Sequence, residues 1–342
     1  MGSSELWKNQ SQNFCIQFFH TSCATTERLD PGSWLMYIVM SGIVLVTIMG
    51  NLLVIILVSH FKQLHNATNV LILSLAVADF LVGLLVMPYS MVRTVTSCWY
   101  FGEVFCKMHT CFDVLLCTSS IFHLLFISVD RYYAICHPLH YYKKITTLVV
   151  EVFLLVSWSG PALYSFGLIL SNTYTAGIQN NVYTVHCAWL CSFVLNKLWG
   201  SISGFICFII PGLLMIGIYI HIFSIARQQA KAIANNANIQ SDSKATSKKL
   251  YMTMERKAAK TLSLVMGAFV LCWLPFFTVT VVDPYINFEI PRDVYSIVLW
   301  LGYFNSTLNP IIYALFYPRF KKAFRYIITE YIYCRLLKTC VN

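Results

Sequence analysis

Seven stretches of this chain are each long and apolar enough to cross a lipid bilayer: residues 35–59, 70–94, 104–134, 147–170, 196–226, 258–282 and 293–316. A spanning helix needs about 20 mostly apolar residues. Hydrocarbon offers no hydrogen bonds, so each stretch is expected to be a helix that satisfies its own N–H and C=O groups. The sequence has none of the alternating ~10-residue strands of a membrane barrel. Composition agrees: the 342 residues are 58% hydrophobic and 11% charged, where a soluble domain is about a quarter charged. The expected fold is an all-α membrane protein, a seven-helix bundle over residues 34–317. It is preceded by a polar segment, 1–33, and followed by a short amphipathic helix and tail, 318–342.

The net charge of +10 raises nucleic acid as a partner, but the placement of the charge excludes it. One set of connections holds Lys62, Arg131, Lys143, Lys144, the run from Arg227 to Lys260, and the tail from Arg319 to Lys338. The other holds only Lys8, Arg28, Arg93, Lys107, Lys197 and Arg292. The positive-inside rule puts the N-terminus outside the plasma membrane and the C-terminus in the cytosol, with the basic residues against lipid headgroups. Residues 1–33 lack an apolar core before a small-residue cleavage site, so the first span is expected to serve as the targeting signal. Asn9-Gln10-Ser11 is a glycosylation acceptor on the outer side; Asn66-Ala67-Thr68 lies on the inner side, where it is expected to go unused.

Six of the 13 cysteines fall on the oxidising outer side: Cys15, Cys23, Cys98, Cys106, Cys187 and Cys191. Six allow fifteen pairings. No Cys/His spacing suits zinc. The long inner connection, 227–257, is polar and poor in aromatics, with ends that read as continuations of helices five and six. Near the C-terminus Phe320 and Phe324 lie four apart with basic residues between, which suits a short helix on the inner membrane surface. Cys334 follows as a palmitoylation candidate or an unmodified thiol.

Charges at bilayer depth are costly and mark function. Asp79 lies in the second span and Asp113 in the third, with Asp130-Arg131 at the third span's inner end. Eighteen residues separate Asp113 from Arg131, about 27 Å at ~1.5 Å per residue. One helix therefore links a carboxylate near the outer face to a guanidinium at the inner face. Asp113 has no cation nearby in sequence, so an incoming ammonium is its economical partner. Pairing with a Lys or Arg of another helix is the alternative, and few lie at that depth.

Gly50-Asn51, Leu75 to Asp79, Asp130-Arg131-Tyr132, Trp158, Pro211, Cys272-Trp273-Leu274-Pro275 and Asn309-Pro310-Ile311-Ile312-Tyr313 occur in this order. The set resembles the rhodopsin-class G protein-coupled receptors and covers all seven helices. Within that class the chain resembles the trace amine-associated receptors. The stretches that carry this are His60-Phe61-Lys62-Gln63-Leu64-His65, Ser97-Cys98-Trp99-Tyr100-Phe101-Gly102, Ser120-Ile121-Phe122-His123-Leu124, Arg256-Lys257-Ala258-Ala259-Lys260-Thr261-Leu262 and Gly302-Tyr303-Phe304-Asn305-Ser306-Thr307. In Tyr317-Pro318-Arg319-Phe320 the chain departs from the family, which has Trp at the Arg319 position.

Helical spacing groups Asp113, Val114 and Cys117 with Ser203 and Cys207 on helix five and Trp273, Phe276 and Phe277 on helix six. The reading is an ammonium on Asp113, an apolar ligand body on the aromatic patch, and Ser203 ready to bond a ligand hydroxyl. Each aromatic alone reads equally well as helix packing. The resemblance adds Tyr303 beside the carboxylate. It implies a sodium pocket of Asp79, Ser120, Asn305, Ser306 and Asn309, a transmission triad of Ile121, Pro211 and Phe269, and an ionic lock of Arg131 with Glu255. It implies a G protein site at Asp130, Arg131, Tyr132, Leu139, Tyr219, Asn309, Pro310 and Tyr313, with a stimulatory heterotrimeric G protein, cyclic AMP as output, and arrestin and receptor kinases as further partners. It also implies the disulfides Cys106–Cys191, Cys15–Cys187 and Cys23–Cys98, and no cofactor beyond the sodium ion.

Polyamine-sensing members of the family carry a second acid on helix five, where this chain has Ser203 and Gly204. Asp283, Glu289 and Asp293 near the outer rim are candidates for a distal ammonium, against a solvated rim as the plainer reading. A serotonin-like biogenic-amine receptor and a di- or polyamine sensor are the alternatives within receptors. A transporter or channel would show repeats or polar pore stripes, and an intramembrane enzyme would show reactive groups converging at one depth. The sequence has neither.

Overall fold

A computed structural model describes residues 30–61, 66–178, 191, 193–236, 243–316 and 320–321, with backbone alone at 226, 229–236, 243–260 and 262. The described chain is almost wholly helical. The seven long helices are α1 (Pro31–His60), α2 (Ala67–Thr96), α3 (Gly102–Cys136), α4 (Thr147–Leu170), α5 (197–236), α6 (Ser243–Val282) and α7 (Arg292–Phe316).

Their starts follow capping chemistry. Asp30, Asn66, Thr146 and Asn196 each stand before the first turn and accept a backbone N–H of that turn, which relieves one of the orphan donors of a helix N-terminus. Two π turns interrupt the spirals, at Val82–Val86 in α2 and Gly204–Ile209 in α5. Each lies just before a proline, Pro88 or Pro211. A proline ring has no N–H to give the preceding turn and crowds its carbonyl, and the wider turn absorbs both effects.

By length and composition six helices can cross a membrane: α1 to α4, the Lys197–Ile225 part of α5, and Ser263–Ile286. The seventh expected span is present as α7. Its polar side chains are turned inward: Tyr303, Asn305, Ser306, Thr307 and Asn309 are all buried. Helices α5 and α6 continue beyond their spans, as the ends of the inner connection suggested, to Asn236 and back to Ser243. The Ala- and Gln-rich sequence past Arg227 has good helix propensity once no lipid is needed to hold it.

The bundle closes as a ring. α1 packs on α2 and α7, α6 on α5 and α7, and α3 runs between α2, α4, α5 and α6. Leu71, Ile72, Leu75, Ile121, Phe269 and Tyr313 are fully buried along this axis. Phe320, at the start of the expected surface helix, is buried with its ring 5.9 Å from that of Tyr313. The spacing of Phe320 and Phe324 defines a face but not what that face meets. Phe324, Cys334, Arg319, Asn9, Cys15, Cys23 and Cys187 lie outside the described residues. Asn66 spends its side-chain oxygen on the Asn69 amide N–H, 3.0 Å away, and Thr68 of the same sequon is buried.

Candidate functional site

The end of the bundle that carries Cys106 contains a cavity of about 730 Å³. Asp113, Val114 and Cys117 of α3, Ser203 and Cys207 of α5, and Trp273, Phe276 and Phe277 of α6 all line it. The sequence grouping is thus brought together in space. The α6 aromatics meet edge on: Trp273 and Phe276 at 5.6 Å and 81°, Phe276 and Phe277 at 5.5 Å and 82°. Edge-to-face contact lets the positive edge of one ring meet the negative face of the next. Phe277 stacks on Phe208 of α5, and Ile121 lies at the cavity floor.

Asp113 receives hydrogen bonds from two described side chains, Tyr303 Oη at 2.7 Å and Cys117 Sγ at 3.4 Å. Among the described residues no basic side chain pairs with it. Tyr303 does not line the cavity; it stands behind the carboxylate, fully buried. Since Tyr303 gives its proton to Asp113, Ser90 Oγ, 3.3 Å away, donates to the phenol oxygen. Ser90 in turn lies 3.4 Å from His109 Nε2, which donates to the Val86 carbonyl at 3.1 Å. Spacing along α3 did not single out His109, although it lies one turn, i to i+4, from Asp113. Ser90 lies on another helix and leaves no signal in sequence.

Ser203 does not offer its hydroxyl freely: it is hydrogen-bonded to Tyr164 Oη of α4. Tyr164 also lines the cavity, and nothing in its sequence context pointed to it. The rim acids separate. Asp283 is buried and accepts from Tyr295 Oη at 2.9 Å and the Ile290 amide at 3.0 Å, so it is neither a solvated rim residue nor an open carboxylate. Asp293 is exposed and lines the cavity; Glu289 is exposed and does not. The Cys106–Cys191 disulfide is formed, with Cα atoms 5.6 Å apart. Cys191 lines the cavity, and its carbonyl accepts from Arg93 Nη1 at 2.8 Å. Cys98 is disulfide-bonded as well.

Deeper in the bundle Asp79 is fully buried. Ser120 and Ser306 donate to its Oδ1, both at 2.8 Å, and Asn309 Nδ2 donates to its Oδ2 at 2.7 Å. Asn305 is buried nearby in sequence without a bond to Asp79; its Oδ1 and that of Asn309 have no described partner. This is a set of hard oxygens with lone pairs to spare. Ile121 of α3, Phe269 of α6 and Pro211 of α5 are all buried.

At the opposite end Asp130 and Arg131 are tied into a buried knot. Arg131 Nη2 and Nε donate to Asp130 Oδ2 at 2.8 and 3.0 Å, Nη2 also to Thr68 Oγ1, and Thr68 itself donates to Asp130 at 2.6 Å. Tyr141, on the short helix Tyr141–Lys144, donates to Asp130 Oδ1 at 2.8 Å. Burial and the neighbouring Asp130 carboxylate push the Tyr141 phenol well above the usual tyrosine range. Tyr132 is partly buried, its hydroxyl 3.3 Å from His137, and Leu139 is almost wholly exposed. The side chain of Glu255 lies outside the described residues.

A sequence profile of the 7 transmembrane receptor (rhodopsin family) matches residues 50–313. Trace amine-associated receptor 4 of Rattus norvegicus is 53% identical over 338 residues, covering 97% of this chain and 96% of its own. Trace amine-associated receptor 1 of Macaca mulatta is 46% identical over 329 residues, and trace amine-associated receptor 13c of Danio rerio 45% over 325; they cover 96% and 94% of this chain, and 97% and 93% of their own.

Proposed function

Because the chain belongs to the rhodopsin family of seven-transmembrane receptors and, within it, to the trace amine-associated receptors, we propose that it binds a small amine at Asp113 and signals through a stimulatory G protein that raises cyclic AMP. The observation that carries the ligand class is the Asp113 carboxylate. It faces an aromatic-lined cavity and has two weakly acidic donors but no described basic partner. A desolvated carboxylate gains most from a cation, and an ammonium brings both charge and hydrogen bonds. Trp273, Phe276 and Phe277 then offer ring faces to the ligand body.

The N-terminus lies outside the plasma membrane and the Arg131 end faces the cytosol, consistent with the basic residues of that end. Ligand binding biases a pre-existing equilibrium in which α6 swings outward. The motion passes through Ile121, Pro211 and Phe269 and frees Arg131, with Tyr132, Leu139, Tyr219 and Tyr313, to meet the G protein. Arrestin and receptor kinases meet the same end. Asp79, Ser120, Ser306 and Asn309, with the spare oxygen of Asn305, would hold a sodium ion, for which hard oxygens are the matching ligands.

The test is a cyclic AMP assay against primary, tertiary and di-amines, in the parent and in Asp113→Ala at matched surface expression. Losing one partner of a buried charge pair costs about 2–5 kcal/mol, a loss of potency of roughly thirtyfold to several thousandfold. Equal potency of the two receptors would reject the site.

A further inference from the structure

We propose that Tyr164 is a specificity-determining residue: it keeps the hydroxyl of Ser203 engaged, and so selects amines whose body carries no hydroxyl against α5. The proposal rests on the amine reading above and narrows it to a ligand class.

Tyr164 and Ser203 line the same cavity as Asp113. Ser203 is only 6% exposed, and its described side-chain partner is the Tyr164 phenol, which reaches it from α4. Tyr164 is held there in two ways. Its ring packs against the buried cluster that contains Phe208 and Phe277. The next residue, Ser165, donates to the Cys111 carbonyl of α3 at 2.5 Å. Cys111 lies two residues before Asp113 in sequence, so that bond sets the register of α4 against the helix that carries the carboxylate.

Close packing keeps Ser203 where it is. A Cβ on Gly200 would stand 3.0 Å from the Thr280 carbonyl oxygen, and one on Gly204 would collide with Val281 Cγ2. Both glycines flank Ser203 on α5, and a rotation of the helix that turned the serine further into the cavity would break this fit against α6. The nearby polar groups are engaged as well. Thr118 of α3 pairs with the thiol of Cys207, one turn along α5 from Ser203. Phe276 and Phe277, which line the cavity beside them, are apolar.

The exchange of partners decides the selectivity. A ligand hydroxyl that took Ser203 from Tyr164 would make one hydrogen bond and strand the half-buried phenol. A ligand hydroxyl that left the pair intact would give up its water and find no partner of its own. In both cases the hydroxyl costs more than the C–H it replaces. Loss of the phenol oxygen reverses the sign, because Ser203 then lacks a partner until a ligand hydroxyl supplies one.

The experiment measures cyclic AMP potency for phenethylamine and its meta- and para-hydroxy derivatives. Parent, Tyr164→Phe, the double variant Tyr164→Phe with Ser203→Ala, and Asp113→Ala are compared, with cell-surface receptor counted for each. The reading is the ratio of potencies within one receptor. In the parent phenethylamine should be the more potent by about fivefold to a hundredfold, the scale of one unmet buried hydrogen bond. Tyr164→Phe should close that gap by about tenfold for at least one hydroxy derivative, and the double variant should reopen it. A parent that takes all three amines equally, or is silent to all three, would overturn the assignment. So would the parental ratio in a well-expressed Tyr164→Phe, or a closed gap that survives the loss of Ser203. Asp113→Ala separates the two readings. If it falls silent while the ratios fail, only the role of Tyr164 is lost; an undiminished response removes the amine reading, and this proposal with it.

Discussion

Tyr303 Oη donates to Asp113 Oδ2 at 2.7 Å from a side chain with no exposed surface. The hydroxyl therefore holds the carboxylate in place from behind, outside the cavity, and Ser90 holds the hydroxyl. Tyr303→Phe should lower amine potency about tenfold, the scale of one hydrogen bond to a charged group, while leaving surface expression and the order of agonists intact. Saturation binding on membranes reads the change directly. A variant as potent as the parent would mean that the phenol does not fix the carboxylate.

Asp79 is the only formal charge in its cluster of oxygens. Asp79→Asn should make agonist affinity independent of sodium, because the amide keeps the shape of the site and loses the charge that draws the cation. Competition binding in sodium and in an equal concentration of a large organic cation checks this. A sodium response matching the parent's would place the ion elsewhere.

The Cys106–Cys191 bridge anchors a strip of loop whose Cys191 carbonyl also holds Arg93. Cys106→Ser and Cys191→Ser should each reduce surface expression and ligand binding. The double variant should be no worse than either single one, since each breaks the same bond. Additive losses would show that the two thiols act separately. Cys15→Ser and Cys187→Ser are expected to match each other in the same way, and peptide mapping that joins Cys15 to another cysteine would remove that pairing.

Gly302 lies flat under the indole of Trp273. A Cβ added there would sit 2.7, 2.9 and 3.0 Å from Cζ3, Cε3 and Cη2 of the ring. The indole is rigid and packed against Phe276 and Phe277, so it cannot yield cheaply. Gly302→Ala should cost about 1–3 kcal/mol of stability through overpacking, seen as a lower melting temperature of the purified receptor. An unchanged melting temperature would show that α6 and α7 separate more readily than their packing implies.

Most of the architecture was legible because lipid leaves an unbroken apolar record: spans one to six announce themselves by length and hydropathy. The seventh was legible too, although its inward face is polar. The inner ends of α5 and α6 were legible as continuations of those helices, but how far each runs was not, since beyond the membrane a polar Ala- and Gln-rich stretch reads equally as loop or helix. In the site, Asp113 with Cys117 and Ser203 with Cys207 followed from spacing along single helices. Tyr164 and Ser90 did not, because each depends on which helix faces which. Phe320 shows the same limit, with its face foreseen and its neighbour, Tyr313, missed.

If the Arg131 end meets the G protein, as proposed, the knot of Asp130, Arg131, Thr68 and Tyr141 sets the signal-to-noise ratio of the receptor. Every one of those bonds is made in this structure, and on the proposed function Arg131 exchanges some of them before it serves a partner protein. The free energy of that exchange is a threshold, and each 1.4 kcal/mol or so of it silences spontaneous signalling about tenfold. A ligand clears the threshold only by its differential grip on the active form. The same few hydrogen bonds therefore decide how quiet the cell is in the absence of amine and how tightly an amine must hold the active form before it is heard.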